Sequence, residues 1–238
     1  MSGAILLELQ GLWVAERRWF VLYELSLELR AGERLVVLDG VDGGAGALFR
    51  ALTTGHGVVD GRILLAGTDI TDLAPSARRE AGLAAVDRAA LIVPELSVDE
   101  QLRLYLPPGR EGRARLEQLY AILPELRERR RQAARRLDPA LRYLLASGSA
   151  LARAPLVWLL DHPLALLDPE RLARLFADSA AMVQAVLWIE REPLRALPLA
   201  SRGALLLGGR LVHSDRPQAL QADPRVLDAC RGDRFAFG

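Results

Sequence analysis

Near the start of the chain, apolar and polar residues alternate in the two-residue period of a half-buried strand. Residues 5–9 read ILLEL and residues 22–29 alternate within VLYELSLEL, so both segments predict β-strands with one face toward a core. Ala31, Gly32 and Glu33 make the turn that follows. The next run, RLVVLD at residues 34–39, does not alternate. A short, continuously apolar, β-branched stretch suits a parallel strand buried on both faces. A glycine-rich GVDGGAG at residues 40–46 then leads into ALFRALT, which reads as a helix. GRILLAGTDI at residues 61–70 predicts a hairpin with Gly67 in its turn.

The period changes near Ser97. From there to about Ser147 apolar residues recur at helical spacing, as at Leu116, Leu119, Ile122 and Leu123. Pro107, Pro108 and Gly109 interrupt this pattern, and an arginine-rich LRERRRQAARR ends it. After Pro155 strand-like runs return, as LVWLLD (156–161), AVLWIE (185–190) and ALLLGGRLV (204–212), with helical segments between them. Strands alternating with helices predict an α/β protein with a parallel core sheet and a helical sub-lobe at about residues 90–150. At 238 residues the chain suits a single domain that carries this lobe.

Composition narrows the classes further. Hydrophobic residues make up 51% and charged residues 26%, which is a globular rather than a disordered balance. A formal net charge of +1 gives no reason to expect nucleic acid or an anionic membrane surface as partner. All 31 basic residues are arginine, so lysine is unavailable as a phosphate ligand. The arginine-rich segment is accompanied by Glu125 and Glu128 and lacks interleaved aromatics; it reads as a solvated helix face rather than a nucleic-acid patch. The single cysteine, Cys230, rules out an internal disulfide and suits a reducing compartment. No signal peptide is expected from MSGAILLELQ, and no apolar run approaches the roughly 20 residues of a membrane helix. The expected location is cytoplasmic, with any contact to the inner face of a membrane running through a partner.

A strand, a glycine loop and a helix in that order are the setting of a phosphate-binding loop. Followed by an all-helical insert and an apolar run ending in Asp at VWLLDHP, this order resembles the ABC ATPases. The resemblance spans almost the whole chain and is closest to the branched-chain amino acid and urea transporter ATPases, with a similar affinity to the lipopolysaccharide-export ATPase. It is carried by TDITDLAPSARREAGLAAV (68–86), LSVDEQL (96–102), LYAILPELRERRRQ (119–132), LARAPLVWLLDHP (151–163) and QADPRVLDACRGDRF (221–235). It implies an α/β, P-loop NTPase-like core with a helical sub-lobe and an N-terminal antiparallel β portion. It also implies an ATP-binding subunit that docks on a membrane permease.

The nucleotide motifs depart from the family's pattern. A working phosphate loop reads G-x-x-G-x-G-K-[ST]-[ST]: backbone N–H groups cradle phosphate, Lys neutralises it, and the hydroxyl reaches Mg²⁺. Here Gly40, Gly43, Gly44 and Gly46 remain as a vestige. Gly46 (Ala45 in another register) takes the Lys place, Ala47 the hydroxyl place, and the loop reads as one residue short. What remains predicts a glycine turn feeding a helix, whose N-terminus keeps only a weak attraction for anions. The adenine-stacking aromatic falls on Glu16, with Trp19 nearby expected in the core, and the glutamine that helps place metal and water falls on Arg88, after Asp87. The L-S-G-G-[QE] signature reads Leu137, Asp138, Pro139, Ala140, Leu141; Pro139 removes an N–H donor and Asp138 sets like charge against phosphate. Asp161 keeps the metal-strand Asp, His162 replaces the catalytic Glu, and Arg191 replaces the switch His. His162 is either a structural residue or a base. Asp168 and Pro169 keep the look of the D-loop, which is also a common helix start.

Phosphoryl transfer depends on positioning and electrostatics, so these losses together predict no efficient ATPase. No cofactor is expected; ATP and Mg²⁺ should bind weakly if at all, and no metal site is expected. The family binds ATP between two subunits, each pairing its phosphate loop with the other's signature, and this chain would spoil both sites. That favours a structural, regulatory or inactivating subunit on a permease, with an active ABC ATPase subunit as a second candidate partner. The permease contact is expected in the segment AALIVPELSV, from Ala89 to Val98, where Leu91, Ile92 and Val93 serve either the partner or the lobe core. Two alternatives stay open: a weak ATPase using His162 as base and Arg88 as phosphate clamp, and a stand-alone scaffold reusing the fold.

Overall fold

The computed structural model describes residues 3–87 and 92–231. The alternating start forms a long antiparallel hairpin, β1 (Ile5–Glu16) and β2 (Trp19–Arg30). On its other edge β1 pairs with β4 (Val58–Leu65), which turns through Gly67 at φ +79° into β5 (Thr68–Asp69). These four strands make one antiparallel sheet in the order β2-β1-β4-β5.

A second sheet holds six strands in the order β10-β9-β3-β8-β7-β6. They are β3 (Arg34–Asp39), β6 (Leu83–Val86), β7 (Val157–Asp161), β8 (Ala185–Glu190), β9 (Arg202–Leu207) and β10 (Arg210–Asp215). From β9 to β6 every pairing is parallel, and β10 closes the edge antiparallel to β9. The run at residues 204–212 is therefore two strands of a hairpin rather than one. Gly208 and Gly209 both take positive φ, 53° and 75°, a backbone reversal that glycine adopts without a Cβ clash.

The lack of alternation in β3 has a direct cause: both of its faces are covered. Leu35 and Val37 join a core built from β1, β2, β4 and α1 (Ala45–Thr54), whereas Val36 and Leu38 join a second core built mostly from helices. Among those helices are α3 (Val98–Arg103), α4 (Gly109–Ile122), α5 (Pro124–Glu128) and α6 (Pro139–Leu151), after the short α2 (Pro75–Glu80). They form the helical lobe of the expected α/β architecture. A Ser97–Glu100 capping box starts α3, and Pro108 precedes α4. The arginine-rich segment runs from the end of α5 through a turn at residues 129–131 to a short 3-10 helix, Ala134–Arg136; Arg127, Arg130 and Arg131 are exposed, so it is solvated but not one helix face. The chain finishes with α7 (Pro169–Asp178), α8 (Pro193–Ala196), α9 (Pro217–Ala222) and α10 (Pro224–Arg231).

Trp19 does not enter the core. It opens β2 just past the hairpin turn, beyond the layer that covers the sheet, and is 78% exposed. Trp158 and Trp188, on neighbouring strands, are fully buried around Phe176. Among the described residues no helix is long and apolar enough to cross a membrane.

Candidate functional site

β3, β8 and β7 lie side by side and end at the same edge of the parallel sheet, the edge where open α/β sheets hold ligands. From β3 come Asp39 and the glycine loop, from β7 Asp161 and His162, and from β8 Glu190 and Arg191. The fold thus gathers Gly40, Gly43, Gly44, Gly46, Asp161, His162 and Arg191 from distant parts of the sequence. Arg88 lies outside the described residues.

The loop is tightly seated. Gly40 N–H donates to the Leu206 carbonyl at 2.9 Å, and Gly43 N–H to the Gly40 carbonyl at 3.0 Å. A Cβ on Gly43 would sit 2.6 Å from Asp39 Oδ1 and 2.6 Å from the Leu206 carbonyl oxygen, so no side chain fits there. Gly44 caps α1 in the left-handed region at φ 82° without any side-chain hydrogen bond. Gly46 and Ala47 fall in the first turn of α1. Arg50 reaches toward that turn, its Nη1 3.5 Å from where a Gly46 Cβ would be. Arg50 is engaged in turn by Glu16, the residue at the adenine-stacking position.

Asp39 is the residue that sequence reasoning missed. It is 6% exposed; its Oδ1 accepts the Ala45 N–H at 3.2 Å, and its Oδ2 accepts from Arg191 Nε at 3.1 Å, with Arg191 Nη2 3.0 Å away in an ion pair. The available signal was a carboxylate ending an otherwise apolar strand directly before the glycine loop. Glu190 was also missed. It is buried and accepts the Leu164 N–H at 2.7 Å and the Arg191 N–H at 3.3 Å. Burial holds its carboxyl above the usual glutamate range, against the pull of those N–H donors.

His162 adopts a left-handed backbone, φ 45° and ψ 54°. Its Nδ1 lies 2.6 Å from Asp161 Oδ1, and this hydrogen bond raises the imidazole pKa above its ordinary value despite partial burial. Nε2 is buried and meets no hydrogen-bonding group among the described residues. The ring is therefore satisfied on one side only, and its other nitrogen is buried.

Asp138 and Pro139 have a local explanation. Asp138 caps α6 by accepting the Leu141 N–H at 2.8 Å, and Pro139 opens the helix. At that position the missing N–H costs nothing, since the first-turn donors have no intrahelical partner. Asp168 and Pro169 start α7 in the same manner, with Arg171 N–H as donor at 2.7 Å.

No protein-family model matches the chain. It is 28% identical over 217 residues to the high-affinity branched-chain amino acid transport ATP-binding protein BraG of Pseudomonas aeruginosa, covering 89% of this chain and 93% of that one. A probable branched-chain amino acid transport ATP-binding protein, LivF of Archaeoglobus fulgidus, is 25% identical over 219 residues, with 89% and 92% covered. Among solved structures, cbiO1 of Clostridium perfringens, part of the ABC transporter complex cbiONQ, superposes with a TM-score of 0.81 at 17% identity, covering 93% of this chain and 92% of that one. A nucleotide-free ATP-binding cassette from an ABC transporter gives 0.79 at 19% identity, covering 94% and 98%. The chain is similar in sequence to ABC transporter ATP-binding proteins and shares the fold of solved ATP-binding cassettes.

A groove of about 1040 Å³ runs between the α1–α2–β6 side and the helical lobe, lined in part by Phe49, Arg79, Ala85, Tyr105, Arg115 and Ser149. Of the segment from Ala89 to Val98, the residues through Leu91 lie outside the described residues. Ile92 is partly buried against the helical core and Val93 is 43% exposed, its N–H donating to Gln101 Oε1 at 3.0 Å.

Proposed function

We propose that the chain is a degenerate ABC-type ATP-binding subunit, a pseudo-ATPase with a structural or regulatory role on a membrane transporter. The observation that carries this reading is the state of the first turn of α1. Gly46 brings no cation and Ala47 no hydroxyl, while the Ala45 N–H is taken by Asp39 and the nearby Arg50 by Glu16. A magnesium nucleotide needs free loop N–H groups, an unopposed cation and an oxygen ligand for the metal. The residues present do not fit one.

The relatives named for branched-chain amino acid transport support a place on a transporter of amino-acid type. The permease would dock through the segment from Ala89 to Val98. An active ABC ATPase subunit is a second candidate partner.

The test is a hydrolysis assay on the purified chain. Its ATP turnover is expected to equal a buffer control. A Mg²⁺-dependent turnover of about 0.1 per second or more, well inside the range of working enzymes, and abolished by His162→Ala, would replace this reading with that of a weak ATPase. One observation favours that second reading: a carboxylate-oriented imidazole at the position of the catalytic glutamate. Against it stands the burial of Nε2, the nitrogen that would have to meet an attacking water.

A further inference from the structure

We propose that the phosphate loop is held shut by the protein's own carboxylate: Asp39 occupies the helix-terminal N–H and the arginine that an incoming phosphate would need. The inference rests on the pseudo-ATPase reading and names what keeps phosphate out.

The N-terminus of a helix favours negative charge through its unpaired N–H groups and its dipole. In α1 that charge comes from within, because Asp39 Oδ1 accepts the Ala45 N–H at 3.2 Å from beneath the loop. The carboxylate cannot easily withdraw. The loop lies directly on it, with the Cβ direction of Gly43 ending 2.6 Å from Oδ1. Its other oxygen is clasped by two nitrogens of Arg191. An internal ligand of this kind competes at a high effective concentration. A phosphate that displaced it would also leave a buried carboxylate next to a like charge.

Exposure separates the roles of the two partners. The Asp39 side chain is 6% exposed and that of Arg191 is 70%, so Arg191 lies over the mouth of the loop rather than within it. Freed from Asp39, it would stand at that mouth as an unopposed cation. The same pattern repeats at Arg50 and Glu16 on the neighbouring side. Among the described residues, Arg191 and Arg50 beside the loop are each paired with an internal carboxylate, Asp39 and Glu16.

The experiment uses the full chain and inorganic pyrophosphate, followed by calorimetry and by the amide resonance of Ala45. The parent protein is expected to give no binding heat at millimolar pyrophosphate and no movement of the Ala45 resonance. Asp39→Ala is expected to bind at least tenfold more tightly than the parent, and Asp39→Asn, which keeps an acceptor without the charge, to fall between them. Adding Arg191→Gln to Asp39→Ala should remove the gain. A folded Asp39→Ala that binds no better than the parent overturns the proposal, and so does an Ala45 resonance that moves in the parent. Should Asp39→Ala fail to fold, Asp39→Asn and the parent's Ala45 resonance still decide the matter. Micromolar binding of MgATP by the parent would instead defeat the pseudo-ATPase reading. Silence in both the parent and Asp39→Ala defeats only the internal stopper.

Discussion

Restoring one lysine tests how deep the loss runs. Gly46→Lys is expected not to restore ATP binding. The new side chain would start 3.5 Å from the Arg50 guanidinium, a like charge, and would find the loop's Ala45 N–H already bonded to Asp39. Ala47 would still offer Mg²⁺ no hydroxyl. Affinity changes tenfold for about every 1.4 kcal/mol, so micromolar binding by this single variant, measured by calorimetry, would show an open and intact loop. His162 gives a second expectation. Its folded-state pKa lies above the ordinary 6.5 because of Asp161, so its contribution to stability is complete below about 6.5 and is lost as the pH rises through the folded value. Denaturant midpoints should therefore fall as the pH is raised above about 6.5. His162→Asn, a residue that tolerates the left-handed backbone, should lose that part of the slope; an unchanged slope would refute the assignment. At this scale the sequence was only partly legible. Gly46, Ala47 and Glu16 could be placed by motif, but the role of Asp39 depends on Arg191, 152 positions away, and only strand pairing brings the two together. Trp19 was misread because hydrophobicity alone does not say that a hairpin tip outruns its covering layer.

Between elements, one buried arginine ties several pieces together. Arg78 in α2 is 1% exposed and donates to the carbonyls of Ala51 and Leu52 at the end of α1, and to those of Thr71 and Leu73 in the turn before α2. The last carbonyls of a helix have no partner within it, and here a cation supplies one at the negative end of the dipole. Arg78→Met keeps most of the volume but strands these acceptors. It should cost about 2–4 kcal/mol, read from the denaturant midpoint, and a loss below about 0.5 kcal/mol would show that water replaces the guanidinium freely. Most elements could be read from periodicity, since β1, β2 and α4 each bury one face. The hairpin of β9 and β10 could not. Apolar residues continue on both sides of Gly208 and Gly209, and the positive φ of those two glycines leaves no trace in hydrophobicity.

Across the whole molecule, the two cores on either side of β3 are built from leucine, valine and alanine far more than from polar groups. The side chains that gather at the sheet edge contribute little to them, so the fold does not depend on which residues stand at that edge. This division also explains what the sequence could convey. Alternating strands, a glycine loop and a helical insert follow from local pattern, whereas closure of the loop depends on where three strands end. The same architecture sets the optical behaviour of the protein. Trp158 and Trp188 are sealed between the sheet and α7, whereas Trp19 stands 78% exposed at the hairpin tip. Ultraviolet excitation should therefore give a blue-emitting fraction from these two that acrylamide scarcely touches and a red-emitting one from Trp19 that it quenches, with the half-buried Trp13 between them. Any molecule settling on the β1–β2 tip would shield the Trp19 fraction first, so its arrival could be followed by light without attaching a dye.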